Sequence, residues 1–185
     1  MDNGASSYRR FLDGDDAGIV EIVRDYKDGL ILYLNGYVGN IFIAEELAED
    51  TFFRLITKKP RYWGKSTFRS WLYAIGRNVA VDYIRHNSKM IHTPIEDMEN
   101  YLSEEQSLEQ SYIKEERKIM VHKALSELAT DYKAVLWLVF FEGFSNKEAA
   151  VALKKNDRQM KNILYRAKQS LKSKLEMEGF DYEKL

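Results

Sequence analysis

The stretch from Ser145 to Leu175, SNKEAAVALKKNDRQMKNILYRAKQSLKSKL, constrains the fold of this chain more than any other. Ser145 followed by Glu148 fits a capping box, in which the Ser side chain caps a backbone N–H and the Glu reaches back. Ala149, Ala150 and Leu153 give the helix that follows a small apolar face. Lys154-Lys155-Asn156 reads as a tight turn, and Asn156 or Asp157 suits the N-cap of a second helix. In that helix Met160, Ile163, Leu164, Ala167, Leu171 and Leu175 recur at helical spacing and form one stripe. Arg158, Gln159, Lys161, Asn162, Tyr165, Arg166 and Gln169 point away from it. Residues 154–175 carry eight Lys or Arg against one Asp. Cap, turn, stripe and charge together predict a helix-turn-helix. Its second helix enters the major groove, with N-terminal residues on base edges and cations on phosphates. A surface helix pair with a solvated basic face would account for the charge alone.

The rest of the composition sets the frame. A chain of 185 residues makes one domain or two small ones. With 45% hydrophobic and 13% aromatic residues it has enough apolar material for a packed core. Two prolines and strong 3.6-residue periodicity predict an all-α protein. There is no cysteine, so disulfides, thiolate metal sites and a thiol nucleophile are excluded. The start, MDNGASSYRRFLDGDD, lacks the apolar run of a signal peptide, and no stretch approaches the ~18 apolar residues of a membrane span. A cytoplasmic protein without membrane insertion is expected. Net charge is −1, but it is segregated. Residues 54–90 carry nine cations and one acid, whereas 91–116 carry one cation and eight acids. Two basic blocks around an acidic spacer predict two nucleic-acid contacts from one chain.

In chain order, Ile19 to Tyr37 reads as one or two amphipathic helices, with a break at Gly36 and Gly39. Ile43 to Ile56 reads as a helix with Ile43, Leu47, Phe52 and Leu55 or Ile56 inward. Its other side shows Glu45, Glu46, Glu49, Asp50 and Arg54. No His and no second carboxylate helix accompany these acids, so a solvated face, or a docking surface for a basic or helical partner, is the better reading than a metal site. The loop Thr57 to Thr67 is basic and aromatic. Its Gly64-Lys65-Ser66 imitates a phosphate-binding loop, but Lys59 stands where that motif needs glycine. Ser66 is expected to cap a helix through about Arg85, with Phe68, Trp71, Leu72, Ile75, Val79 and Tyr83 on one face and Asn78, Asp82 and Arg85 at its edge. Cations interleaved with Tyr62, Trp63, Phe68, Trp71 and Tyr73 suit single-stranded nucleic acid, whose bases stack on rings while cations follow the backbone. Core packing is expected for Phe68 and Leu72 and not for the loop aromatics.

Between His86 and Gln106 the periodicity lapses into Pro94, small polar residues and acids, which reads as a flexible acidic linker. It returns in a helix from Leu108 to Thr130 and another from Asp131 to Phe141, the latter with Val135, Leu136, Val139 and Phe140 inward. The expected layout is two small helical domains: 1–90, a linker over 91–107, a four-helix domain with the helix-turn-helix over 108–178, and a tail over 179–185. His86, His92 and His122 lack metal-ligand spacing, and no nucleophile–base pair stands out. No catalytic residue, metal or cofactor is assigned, and an enzyme is not expected.

Two segments carry a family resemblance. Ala44-Glu-Glu-Leu-Ala-Glu-Asp-Thr-Phe-Phe-Arg-Leu-Ile56 with Ser66 to Arg85 resembles domain 2 of bacterial RNA polymerase sigma factors. Ala124 to Leu128, Tyr132 to Leu138 and Ser145 to Leu175 resemble their domain 4. Two domains with no domain 3 between them resemble the extracytoplasmic-function group of the sigma-70 family. The resemblance implies that Glu45, Glu46, Glu49, Asp50, Phe53 and Arg54 dock on core polymerase, at the β′ coiled coil. The β flap is implied as a second core contact, and an anti-sigma factor as a further candidate partner. Arg61, Tyr62, Trp63, Lys65, Ser66, Trp71, Arg77, Asn78 and Arg85 would read the melted −10 element of promoter DNA. Arg158, Gln159, Lys161, Asn162, Tyr165, Arg166 and Lys168 would contact the −35 element. Lys155 stands where the family usually has a turn glycine, which predicts a strained residue there. The rival reading is a helix-turn-helix regulator with an N-terminal sensing domain, which would show strand alternation and an acidic pocket in residues 1–90.

Overall fold

Among residues 3–87 and 120–180, the part that the computed structural model describes, every regular element is helical. Helices α1 (Asn3–Leu12), α2 (Ala17–Val38), α3 (Ile41–Lys58) and α4 (Phe68–Asn87) form an N-terminal group. Helix α5 is described over 120–126, and α6 (Thr130–Leu136) runs on into a π-helical turn over Trp137–Phe141. Helices α7 (Asn146–Ala152) and α8 (Asp157–Met177) complete the C-terminal group. The linker expected over 91–107, and the domain boundaries expected on either side of it, lie outside the described residues.

Sequence periodicity does not predict α1, because ten residues with three large apolar side chains are too few to show a stripe. Tertiary packing holds it, as it must for so short a helix. The Tyr8 ring lies 5.5 Å from Phe68 and 5.4 Å from Trp71, and its hydroxyl donates to the Pro60 carbonyl at 2.8 Å. Helix α2 is one helix that runs through Gly36. It ends at Gly39, which takes the left-handed conformation at φ +65° and donates its N–H to the Asn35 carbonyl. The Asn40 side chain then accepts from the Phe42 and Ile43 amides and starts α3. In α3 Leu47, Phe52 and Leu55 are buried and Ile56 is not.

The start of α4 corrects the sequence expectation by one residue. The Thr67 hydroxyl, not that of Ser66, accepts from the Ser70 amide at 3.3 Å, while the Ser66 carbonyl is taken by the Tyr62 hydroxyl. Tyr62 is also less of a loop aromatic than expected. It is half-buried, with its ring 5.7 Å from Phe68 and 5.2 Å from Trp71.

In the C-terminal group both expected caps form. Ser145 with Glu148, and Asn156 with Gln159, make full capping boxes. The left-handed residue in the turn is Lys154, at φ +52°, and not Lys155. The Lys155 amide donates to Ala150 and the Lys154 amide to Val151. This is a Schellman ending, which places the left-handed residue at the first position past the cap. A further correction concerns Phe140, which is 58% exposed, whereas Leu138 is fully buried. The Glu142 amide bonds the Trp137 carbonyl, five residues back, so the wider turn rotates the face that points inward. The two groups pack on each other, α6 against α2 and α7 against α4, and share one continuous apolar core.

Candidate nucleic-acid interface

Three surfaces gather the residues singled out from the sequence. The first is the solvent side of α3. Glu46, Glu49 and Asp50 are exposed, Glu45 is tied to Lys27 at 3.2 Å, and Arg54 is half-buried. Beside the acids Phe53 is 62% exposed. Glu49, Asp50 and Phe53 line a cleft of about 420 Å³ together with Val23, Lys27, Phe52 and Ile56. The sequence reading missed Val23, Lys27 and Ile56. Ile56 was in reach, since it follows Phe53 by three residues and so shares its helix face. Among the described residues no group of three His, Asp or Glu is placed to hold a metal ion.

The second surface is the loop before α4. Lys59 and Gly64 turn the chain with positive φ of 40° and 67°. Between them the Arg61 guanidinium stacks on Trp63, 3.7 Å from the ring centroid. Trp63 is 65% exposed and Lys65 is also exposed, so ring and cations face solvent together. The other residues of this set divide. Arg85 lies on the surface, 4.0 Å from Asp82, and Asn78 is half-buried. Trp71 and Tyr62 are half-buried in the aromatic cluster with Tyr8 and Phe68, and Ser66 uses its carbonyl on Tyr62. The Arg77 Nε is buried with no hydrogen-bond partner, and its guanidinium lies near the Tyr37 hydroxyl. Trp63, Arg61 and Lys65 therefore form the open platform, while Tyr62 and Trp71 support it from beneath.

The third surface is α8. Arg158, Gln159, Lys161, Asn162, Tyr165, Arg166 and Lys168 are all exposed, on the side opposite buried Met160, Leu164 and Ala167. The Gln159 side-chain oxygen accepts from the Asn156 amide at 3.0 Å, which holds the side chain back at the helix start. Lys168 lies 5.1 Å over the Phe140 ring. A cleft of about 190 Å³ between the N-terminal ends of α7 and α8 is lined by Asn146, Lys147, Asp157, Met160 and Lys161. Lys147 is a functional candidate that the sequence reading missed. The cue was a cation in the first turn of the first helix, the helix that crosses the backbone in a docked helix-turn-helix. Glu148 next to it titrates below the usual carboxylate range, chiefly because the Ser145 hydroxyl and amide donate to it.

Comparison with known proteins sorts these surfaces. Residues 22–90 match the profile of Sigma-70 region 2, and residues 118–171 match that of Sigma-70, region 4. The ECF RNA polymerase sigma factor SigM of Bacillus subtilis is 26% identical over 155 residues, covering 84% of this chain and 93% of that protein. The ECF RNA polymerase sigma factor SigC of Mycobacterium tuberculosis is 30% identical over 114 residues, covering 62% of this chain and 60% of that protein. The fold is shared with two solved structures. CnrH, in complex with the cytosolic domain of CnrY, superposes with a TM-score of 0.64 at 18% identity, over 95% of this chain and 96% of that one. The sigma factor RpoE of Bartonella quintana, in complex with the anti-sigma factor NepR, superposes with a TM-score of 0.65 at 21% identity, over 84% of this chain and 95% of that one. The surfaces on α3 and before α4 lie within the region 2 match, and the exposed face of α8 from Arg158 to Lys168 lies within the region 4 match. The chain belongs to the sigma-70 family of RNA polymerase sigma factors, in its extracytoplasmic-function group.

Proposed function

We propose that this chain binds core RNA polymerase and directs initiation at specific promoters, and that it does so by binding alone, without chemistry of its own. One observation carries the reading. A single chain presents an exposed cationic recognition helix on α8 and an exposed ring-and-cation platform at Trp63, Arg61 and Lys65. A convex basic helix fits the major groove of duplex DNA. Stacking rings beside cations fit unpaired bases. A protein that holds both promotes the passage from closed duplex to open strand. The region 2 part reads the −10 element and the region 4 part the −35 element.

The cleft beside Glu49, Asp50 and Phe53 is the proposed seat for a helical element of core polymerase. It combines an apolar floor with an acidic rim, so it suits a partner with apolar knobs flanked by cations. Core polymerase and DNA place the action in the cytoplasm, and no described helix is long and apolar enough to cross a membrane. An anti-sigma factor is a proposed partner as well, since RpoE was solved with the anti-sigma factor NepR bound.

Purified core polymerase should start transcription from a defined set of upstream sequences only when this chain is added. Reversing Glu49 and Asp50 to Lys together should abolish co-purification with core while helicity by circular dichroism stays unchanged. Undiminished binding by that variant would move the docking site elsewhere.

A further inference from the structure

Helix α1 and the ring-and-cation platform before α4 are far apart in sequence and meet at one anchor. The helix ends before residue 22, where the region 2 match begins. It is packed at backbone distance on two sides. A Cβ at Gly4 would stand 2.4 Å from the Phe68 ring, and one at Gly18 of α2 would stand 2.2 Å from the Ser7 carbonyl, so both approaches require glycine. The Ser7 hydroxyl donates to Glu21 of α2 at 2.7 Å, and Arg10 meets the same carboxylate at 2.9 Å. These contacts fix how α1 is rotated on α2.

That rotation aims Tyr8 and Phe11, three residues apart on one face, at the loop between α3 and α4. Tyr8 is 1% exposed, and its hydroxyl donates to the Pro60 carbonyl at 2.8 Å. Burial pushes that hydroxyl up to about 12, so at neutral pH it stays protonated and remains a donor. The Phe11 ring lies 4.9 Å under the Lys59 ammonium. Lys59 is left-handed at φ +40°, a conformation that is unfavourable for any residue but glycine. Pro60 after it has no N–H, so its carbonyl is the one backbone hydrogen-bonding group it offers. A strained residue persists only where its surroundings over-determine it, and here two rings of α1 do so.

Arg61 and Trp63 follow directly, stacked at 3.7 Å and open to solvent. The far end of their loop is tied by Tyr62, which donates to the Ser66 carbonyl. The near end is tied to α1. A loop already held in its binding shape loses little freedom when a base stacks on it, and that saving appears as affinity.

We propose that Tyr8 is a positioning residue for strand opening: by holding the Pro60 carbonyl it fixes the pitch at which the Trp63 ring, stacked on Arg61, meets an unpaired base. Helix α1 is then part of the opening machinery, although it lies before the residues that the family match covers. The inference rests on the function proposed above, and the test separates the two.

Tyr8→Phe keeps the ring against Phe68 and Trp71 and removes only the hydroxyl. The probe is a duplex promoter from which core polymerase with the wild-type chain initiates. Polymerase carrying Tyr8→Phe should open it about two- to tenfold less, the worth of one hydrogen bond, by permanganate reactivity of the start-site bubble. Core binding and closed-complex binding of the same duplex should stay as in wild type. In a Trp63→Ala background the change should add no further loss, because the ring that Tyr8 positions is gone. Wild-type opening by Tyr8→Phe overturns the proposal. An equal loss in both backgrounds, or a matching fall in core and duplex binding, also overturns it, since either marks Tyr8 as packing alone. Absence of promoter-specific initiation from the wild-type chain overturns the functional reading itself.

Discussion

Helices α8 and α4 are both basic, both lie in proposed DNA-binding parts, and solve opposite problems. Helix α8 is packed on one side only. Its apolar stripe is buried on the body of the C-terminal group and its polar side is open from Arg158 to Lys168. Helix α4 is packed on more than one side, against α2 and α3 and also against α7. Its exposed contribution to nucleic acid therefore falls to its ends: the loop with Arg61, Trp63 and Lys65 at one, Arg85 at the other. A duplex can be read by one convex helix. Unpaired bases need a rigid platform, and the second layer of packing on α4 supplies the rigidity.

Three tests probe that contrast, the largest effect first. Met160 is 1% exposed at the root of the α8 stripe, so Met160→Ala should cost about 2–5 kcal/mol of stability in chemical denaturation. Lys161→Ala, one residue on and exposed, should stay within about 0.5 kcal/mol. Equal losses would mean that α8 is not one-sided.

Next, Trp63→Ala should weaken promoter opening by roughly 1–3 kcal/mol, the value of one lost base stack. Permanganate reactivity of the start-site bubble reads this, and duplex binding of the same promoter should change far less. Normal opening would leave the Arg61–Trp63 stack as surface packing only.

Smallest and subtlest is the division of labour along α8. Arg158→Ala should change which −35 sequences are accepted, by about 1–3 kcal/mol at the base it reads. Lys168→Ala should weaken all promoters alike and lower the salt slope by roughly one unit. A promoter library measured at two salt concentrations separates the two, and identical profiles would take α8 out of the groove.

Much of this protein is legible in its sequence because the signals are local. A capping box needs two side chains three residues apart, and both form where the pattern puts them, at Ser145 and Asn156. A stripe at 3.6-residue spacing names the buried face of α8, because an amphipathic helix on a surface has only one place for apolar side chains. The exposed cations of α8 and the acids of α3 follow as the complement. Other features depend on neighbours distant in sequence. Helix α1 is held by Tyr8 against Phe68 and Trp71. Tyr62 turns inward because Ser66 and Trp71 receive it. Leu138 replaces Phe140 in the core because a π turn, invisible to an α-helical pattern, rotates the face. Tyr73 lies off the expected stripe of α4 and is buried all the same, because Phe144 and Glu142 arrive from some seventy residues away. Periodicity and caps report what a segment prefers by itself, and these the sequence alone determined: the positions of α2 to α4 and α6 to α8, the turn and the two basic surfaces. The tertiary structure alone decided which second face of α4 would be covered and which carbonyl Tyr8 would meet. Burial on a second face is a property of two surfaces at once, and neither segment carries it alone.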